Sequence, residues 1–288
     1  MKLTDVINSG RPSLSFEVFP PKSSATYESI ESAVEEIACL NPSFMSVTYG
    51  AGGGTSEYTT DIAAGIQKRH DIPVLAHLTC VSSTREGVLA QLKKMQEAGI
   101  KNVLALRGDI PEGMSPQEDW HYRYASSLIN EVRDFGGFCI GGACYPEGHT
   151  EAESQQRDIE HLKMKVDAGC QFLTSQMFFD NNIFYNFLYK IKKAGINVPV
   201  VAGIMPVTKA AQIKRITALS GTALPPRFKY IVDRFGDNPE TMKQAGIAYA
   251  TEQIVDLYAN GVDAVHVYSM NNPSVARIIQ SNISEILK

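Results

Sequence analysis

In the segment "SLSFEVFPPKS" an ionisable acid stands inside a strand-like run: Glu17 lies between Phe16 and Val18. A carboxyl desolvated by aromatic and aliphatic neighbours has a raised pKa, so it can act as a general acid near neutral pH. The competing account is a structural glutamate paired with an Arg or Lys, because an unpaired buried carboxylate is costly. "LALRGD" sets Arg107 and Asp109 around Gly108. They offer a phosphate-binding guanidinium and a carboxylate for a reacting centre, or else a rim ion pair. His77 in "VLAHLTC" has a satisfied core position as its simpler account. In "RDIEHLKMKVDAG", Asp158, His161 and Lys165 fall at i, i+3 and i+7 and share one helix face, a pattern that a solvated surface also explains. Thr48, Tyr145 in "ACYPEGH", Gln176 in "TSQMFFD" and Tyr268 in "VHVYSM" close further apolar runs. Gln176 could meet a planar, amide-like ligand edge, or be a satisfied buried amide. After Thr48 comes "YGAGGGTSEYT", whose low side-chain bulk lets backbone approach a ligand, although a plain turn has the same composition. No GK[ST] follows, so it is not a Walker A loop.

The elements that must position these residues repeat one pattern. An amphipathic helix ends at a glycine, and an apolar run follows, as in "QEAGIKNVLALRGD", "VDAGCQFLTSQMFF", "KKAGINVPVVAGIMP" and "YANGVDAVHVYSM". Gly99, Gly169, Gly195 and Gly261 are the expected helix stops, since glycine takes the left-handed conformation without steric cost. Strand-like runs cover Leu14–Phe19, Phe44–Thr48, Val74–Thr79, Asn102–Leu106, Phe138–Ala143, Phe172–Ser175, Val200–Gly203 and Ala264–Tyr268. Helical patterns include Tyr27–Leu40, Glu57–Arg69, Arg85–Ala98, Gln155–Ala168 and Glu240–Asn260. Eight strand–helix units imply an α/β fold, a (β/α)8 TIM barrel, in one domain over residues 1–288. A doubly wound open sheet is the alternative, and the lack of GxGxxG after the first strand counts against its dinucleotide-binding form. In a barrel the chemistry lies at the C-terminal ends of the strands, where the polar residues above cluster. Strand alternation turns Leu14, Phe16 and Val18 toward the helices and Ser15, Glu17 and Phe19 inward.

Composition excludes several classes. A formal net charge of −4 gives no field for nucleic acid. No run of about 18 apolar residues exists to span a membrane, and "MKLTDVINSG" lacks a signal-peptide core. The five cysteines form no CxxC pair, and "CIGGAC" has no zinc-ligand partners. A cytoplasmic protein with reduced thiols is expected, with no metal.

Together, "SFEVFPPK", "VTYGAGG", "LAHLTC", "LRGD", "YPEGH", "KVDAG", "SQMFFD", "GIMPV" and "VHVYSMN" resemble, in order and over residues 14 to about 271, a bacterial-type methylenetetrahydrofolate reductase. The resemblance implies a (β/α)8 barrel binding FAD. It implies reduction of 5,10-methylenetetrahydrofolate to 5-methyltetrahydrofolate with NAD(P)H, by ping-pong kinetics, as a supply for methionine synthesis. Glu17 matches the family's general acid to folate N10. Thr48, Ala51, His77, Arg107, Gly108, Asp109, Tyr124, Ala125, Tyr145, Asp158, His161 and Lys165 match flavin-side positions. Asp109 also matches the carboxylate beside the pterin, and Gln176, Gln212 and Tyr268 match folate-side positions. The sequence departs from the family at Asn272, where an Arg is frequent, at Ile216, where a stacking Phe is expected, and at His161, where some relatives carry Asn. A homo-oligomer is expected, and association with an accessory protein is the alternative. Two rival functions remain. A flavin-free barrel lyase or aldolase would want a Schiff-base lysine, and none lies inside the eight strand cores. A flavin-carrying subunit of a larger electron-transfer complex would be inactive alone with NADH.

Overall fold

The computed structural model describes residues 1–21, 27–49, 56–110 and 120–288, without the side chains of Ser56, Glu57, Lys214, Arg215 and Leu219. Ala51 and the glycine cluster around it lie outside the described residues. Eight parallel strands close a barrel in chain order. They are β1 (Ser13–Val18), β2 (Phe44–Val47), β3 (Val74–Thr79), β4 (Asn102–Leu106), β5 (Cys139–Cys144), β6 (Phe172–Ser175), β7 (Val200–Ile204) and β8 (Ala264–Val267). Every expected strand is present, with ends that move by a single residue where they differ. The helices are α1 (Leu3–Ile7), α2 (Tyr27–Ala38), α3 (Ser56–His70), α4 (Arg85–Glu97), α5 (Ala125–Phe135), α6 (Gln155–Asp167), α7 (Asn181–Lys193), α8 (Ala211–Ser220), α9 (Pro226–Phe235), α10 (Pro239–Ala259) and α11 (Pro273–Asn282). The expected stops Gly99, Gly169, Gly195 and Gly261 have φ of +76°, +124°, +78° and +77°. No described helix is long and apolar enough to cross a membrane.

Two apolar layers follow from strand alternation. Leu14, Phe16 and Val18 of β1 pack outward with Val34 and Ile37 of α2, in the large core between barrel and helices. The inward set begins with an apolar floor of Phe44, Leu75, Leu104, Cys139, Phe172, Val201 and Ala264, sealed by Leu3 and Ile7 of α1. Asn102 fixes that seal, accepting the Leu3 N–H at 2.8 Å and donating to the Val74 carbonyl at 3.0 Å. A third cluster, with Val207, Ile213, Ile216, Phe228 and Tyr249, joins α8, α9 and α10 beyond β7.

The strand register then dictates what lies above the floor. Ser15 is level with Phe44 and His266, and Glu17 with Ser46. Gly203 is level with His266. The barrel therefore changes from apolar to polar one layer below its C-terminal mouth. That mouth is where barrels of this kind build their sites.

Candidate active site

Glu17 is the last inward residue of β1 and only 7% exposed. Burial pushes its carboxyl up to about 8, against a smaller downward pull from a hydrogen bond with Ser46. Oε2 lies 3.7 Å from Nε2 of His77, and burial pushes that imidazole down to about 4. The contact is longer than a hydrogen bond, and both groups are neutral at pH 7, so it is not an ion pair. Glu17 is thus held as a protonated acid.

Beneath it runs a polar chain that sequence reasoning missed. His266 stacks on Phe44 with ring centroids 5.4 Å apart. Its Nδ1 lies 2.7 Å from Ser15 Oγ, and its Nε2 lies 2.9 Å from Ser46 Oγ. Ser15 Oγ also donates to the Val265 carbonyl at 3.0 Å. With that hydroxyl proton so placed, Nδ1–H donates to Ser15 and Nε2 accepts from Ser46. Ser46 Oγ also hydrogen-bonds the Glu17 carboxyl, and that bond favours its ionised form. Burial holds the imidazole down to about 3, so His266 is neutral and can serve in either tautomer. The available signal was parity: in "AVHVYSM", His266 shares the inward face with Tyr268.

Tyr268 completes the mouth above β8. Its ring stands edge-on to His266 at 5.5 Å, and its hydroxyl donates to the Ser175 carbonyl at 2.5 Å. Gly203 makes room for it: a Cβ there would sit 2.3 Å from the Ser175 carbonyl oxygen and 2.5 Å from the Tyr268 hydroxyl.

Beside this centre a cavity of about 860 Å³ opens over the ends of β3, β4 and β5. Arg107, Gly108, Asp109, Tyr124, Ala125, Tyr145, Asp158, His161 and Lys165 all line it. Gly108 has φ +87°, and a Cβ would meet Thr79 Cβ and Val81 Cγ1 at 3.0 Å, so the Arg107–Asp109 turn must pack through bare backbone. The Asp158, His161 and Lys165 face of α6 forms a wall of this cavity, with Asp158 and Lys165 half-buried and His161 exposed. Lys165 Nζ donates to the neutral Ala143 carbonyl at 2.6 Å, and burial lowers its pKa. Asp158 accepts the His149 N–H at 3.2 Å. Tyr145 is kept a neutral hydroxyl, its pKa pushed by burial up to about 12. Tyr49, His149, Arg157 and Met164 line the same space without having been singled out beforehand.

Other expected residues are placed differently. Thr48 and His77 do not line this cavity. Thr48 accepts at its carbonyl from Thr59 Oγ1, and His77 faces Glu17. Gln212 Oε1 is engaged by the N–H groups of Thr208 and Lys209, and Gln176 Oε1 by that of Met177. Ile216 is buried in the third core cluster, where a stacking role is closed to it. Asn272 caps α11, accepting from the Val275 N–H.

Comparison with known proteins agrees with this architecture. The family model "Methylenetetrahydrofolate reductase" matches residues 2–284. The 5,10-methylenetetrahydrofolate reductase of Pectobacterium carotovorum subsp. carotovorum is 35% identical over 271 residues, covering 94% of this chain and 89% of that protein. The Escherichia coli (strain K12) protein of the same name is 34% identical over 270 residues, covering 94% and 90%. Methylenetetrahydrofolate reductase (NADH) 1 of Arabidopsis thaliana is 33% identical over 300 residues, but this chain spans only 50% of its length. Among solved structures, a Clostridium thermocellum protein described as binding two copies of 5-methyl-5,6,7,8-tetrahydrofolic acid superposes with a TM-score of 0.67 at 13% identity, covering 98% of this chain and 99% of that one. At that identity the likeness carries the fold alone.

Proposed function

The chain belongs to the methylenetetrahydrofolate reductase family, and from that membership and the barrel mouth we propose that it reduces 5,10-methylenetetrahydrofolate to 5-methyltetrahydrofolate, with NAD(P)H as donor and FAD as carrier. The observation that carries the reading is Glu17: a carboxyl stored protonated at the end of β1, beside a cavity large enough for an extended cofactor. The cavity suits FAD on its own residues. Lys165 and Arg107 supply cations for a diphosphate, and Tyr145 offers a neutral hydroxyl.

FAD bound in this cavity would supply hydride carriage between the nicotinamide and the folate, which calls for two half-reactions at one mouth. Glu17 delivers its proton to folate N10, so that the five-membered ring opens to an N5 iminium cation. The Ser46 hydroxyl, whose hydrogen bond favours the ionised form of Glu17, then meets the carboxylate. The carboxylate charge is thereby met without a new ion. Asp109, at the cavity edge, favours the cationic carbon electrostatically. Tyr268 and Gly203 shape the side of the mouth where the pterin stacks. The test is an anaerobic titration of the purified chain. The bound flavin should bleach with NADH or NADPH and recover its colour with methylenetetrahydrofolate, and a chain unable to take up FAD would overturn the reading.

A further inference from the structure

The cations of the cavity differ in what already occupies them. Arg157 is paired with Glu160 along α6. Lys165 holds a neutral carbonyl. Arg107 is engaged by a full carboxylate: NH1 donates to Glu151 Oε2 and NH2 to Glu151 Oε1, both at 2.6 Å. A two-pronged guanidinium–carboxylate fork is also the geometry in which arginine grips a phosphate. The partners are unequally held. Arg107 follows directly from β4, and its side chain is 24% exposed, while Glu151 sits on the β5–α6 connection and is 56% exposed. His149 Nδ1 accepts the backbone N–H of Glu151 at 3.1 Å, which sets that carboxylate at the cavity wall.

We propose that Glu151 is an internal stand-in for the cofactor's diphosphate, holding Arg107 extended across the cavity until the diphosphate displaces it. The inference rests on reading the cavity as a flavin dinucleotide site. It adds a selection rule: a flavin without phosphates has nothing to exchange for the carboxylate, whereas a diphosphate does. Glu151 therefore lowers the affinity for FAD and leaves that for riboflavin unchanged.

The test compares wild type with Glu151→Gln and Glu151→Ala, both exposed substitutions. A dilution series of the holoprotein, read by the fluorescence of released FAD, should show both variants holding FAD about five-fold tighter, the scale of one exposed ion pair. In the Arg107→Gln background the same substitutions should change nothing. In the flavin-free chain, inorganic diphosphate should raise Tm more for the variants than for wild type. Equal or weaker FAD retention in the variants, with wild type binding FAD, would overturn the stand-in role and leave the flavin reading intact. A chain that binds no FAD but shows a Glu151-dependent diphosphate response would overturn the flavin reading and keep the exchange at Arg107. A chain that binds no FAD and shows no Glu151-dependent diphosphate response would overturn both.

Discussion

Nε2 of His77 and Oε2 of Glu17 face each other at 3.7 Å as two uncharged groups. Were the pair ionic, the imidazolium would hold Glu17 as a carboxylate and spoil it as an acid. Burial acts on both in the opposite sense, raising the carboxyl to about 8 and lowering the imidazole to about 4. A proton is therefore stored at the barrel mouth, where the proposed ring opening of the folate would draw on it.

The first prediction concerns that proton. Glu17→Gln keeps size and polarity but has no proton to give. The flavin should still bind and still be reduced by NAD(P)H at a rate near wild type. Reduction of methylenetetrahydrofolate should fall by about 10²–10⁴-fold, the usual worth of a positioned acid. Rapid-mixing measurements of the two half-reactions separate them, and a variant with wild-type folate turnover would remove Glu17 from the mechanism.

Stability should carry the same signature. Glu17 has a folded pKa of about 8 against an ordinary 4.5, so between these values the folded chain holds more protons than the unfolded one. Its contribution is complete below about 4.5 and is lost as pH rises through 8. His77 works the other way, gaining stability as pH rises from about 4 to 6.5, so the Glu17 slope stands clear of it above 6.5. Tm measured from pH 6.5 to 8.5 should fall for wild type and stay flatter for Glu17→Gln. Parallel curves would mean that the carboxyl titrates normally.

How much of this was legible beforehand depends on the range of the forces involved. Strands and barrel follow from local periodicity, and parity alone turned Glu17 inward. The α6 face at Asp158 and Lys165 was readable as a face, but only packing against the β5 end makes it a cavity wall. His266 was missed because its partners Ser15 and Ser46 lie on strands more than 200 positions away, at sequence separations of 251 and 220. Gln212 and Ile216 went to the chain itself, since α8 buries one face in the third cluster and its leading turn takes the amide. No local pattern reveals which side of such a helix a neighbouring cluster will claim.

Ser46→Ala tests the polar chain under the acid. Ser46 is the group that pulls the Glu17 pKa down, so its loss should raise that pKa further and move the alkaline limb of folate reduction to higher pH. The His266 Nε2 loses its partner as well, at a cost of about 1–3 kcal/mol for a buried group left unpaired. A pH profile of the folate half-reaction beside a denaturant titration reads both effects. A limb shifted to lower pH would refute the assigned direction.

Lys165→Met keeps length and packing against the Tyr145 side of the cavity while removing the charge. If that cation serves the cofactor diphosphate, FAD should dissociate about ten-fold to a hundred-fold more readily, as expected for losing a charged hydrogen bond. The fold should persist, because the Ala143 carbonyl it leaves lies at a strand end beside a cavity water can enter. Fluorescence of released flavin on dilution measures the first effect and thermal melting the second. Unchanged retention would move the diphosphate elsewhere.

Gly203→Ala separates the two sides of the mouth. The new methyl group would fall 2.3 Å from the Ser175 carbonyl oxygen and 2.5 Å from the Tyr268 hydroxyl, far inside contact distance. The nearer clash is with backbone, so β6 and β7 must part locally at Ser175 while Tyr268 swings away and loses its bond there. Overpacking of this kind costs about 1–3 kcal/mol. The cavity proposed for the flavin is lined by residues of β3, β4, β5 and α6 and does not include Gly203, so FAD binding and its reduction by NAD(P)H should survive. The folate half-reaction should weaken chiefly through a raised KM, because Tyr268 shapes the binding surface and carries no proton to the substrate. A variant that lost flavin as readily as folate activity would show that the two halves of the mouth are not independent.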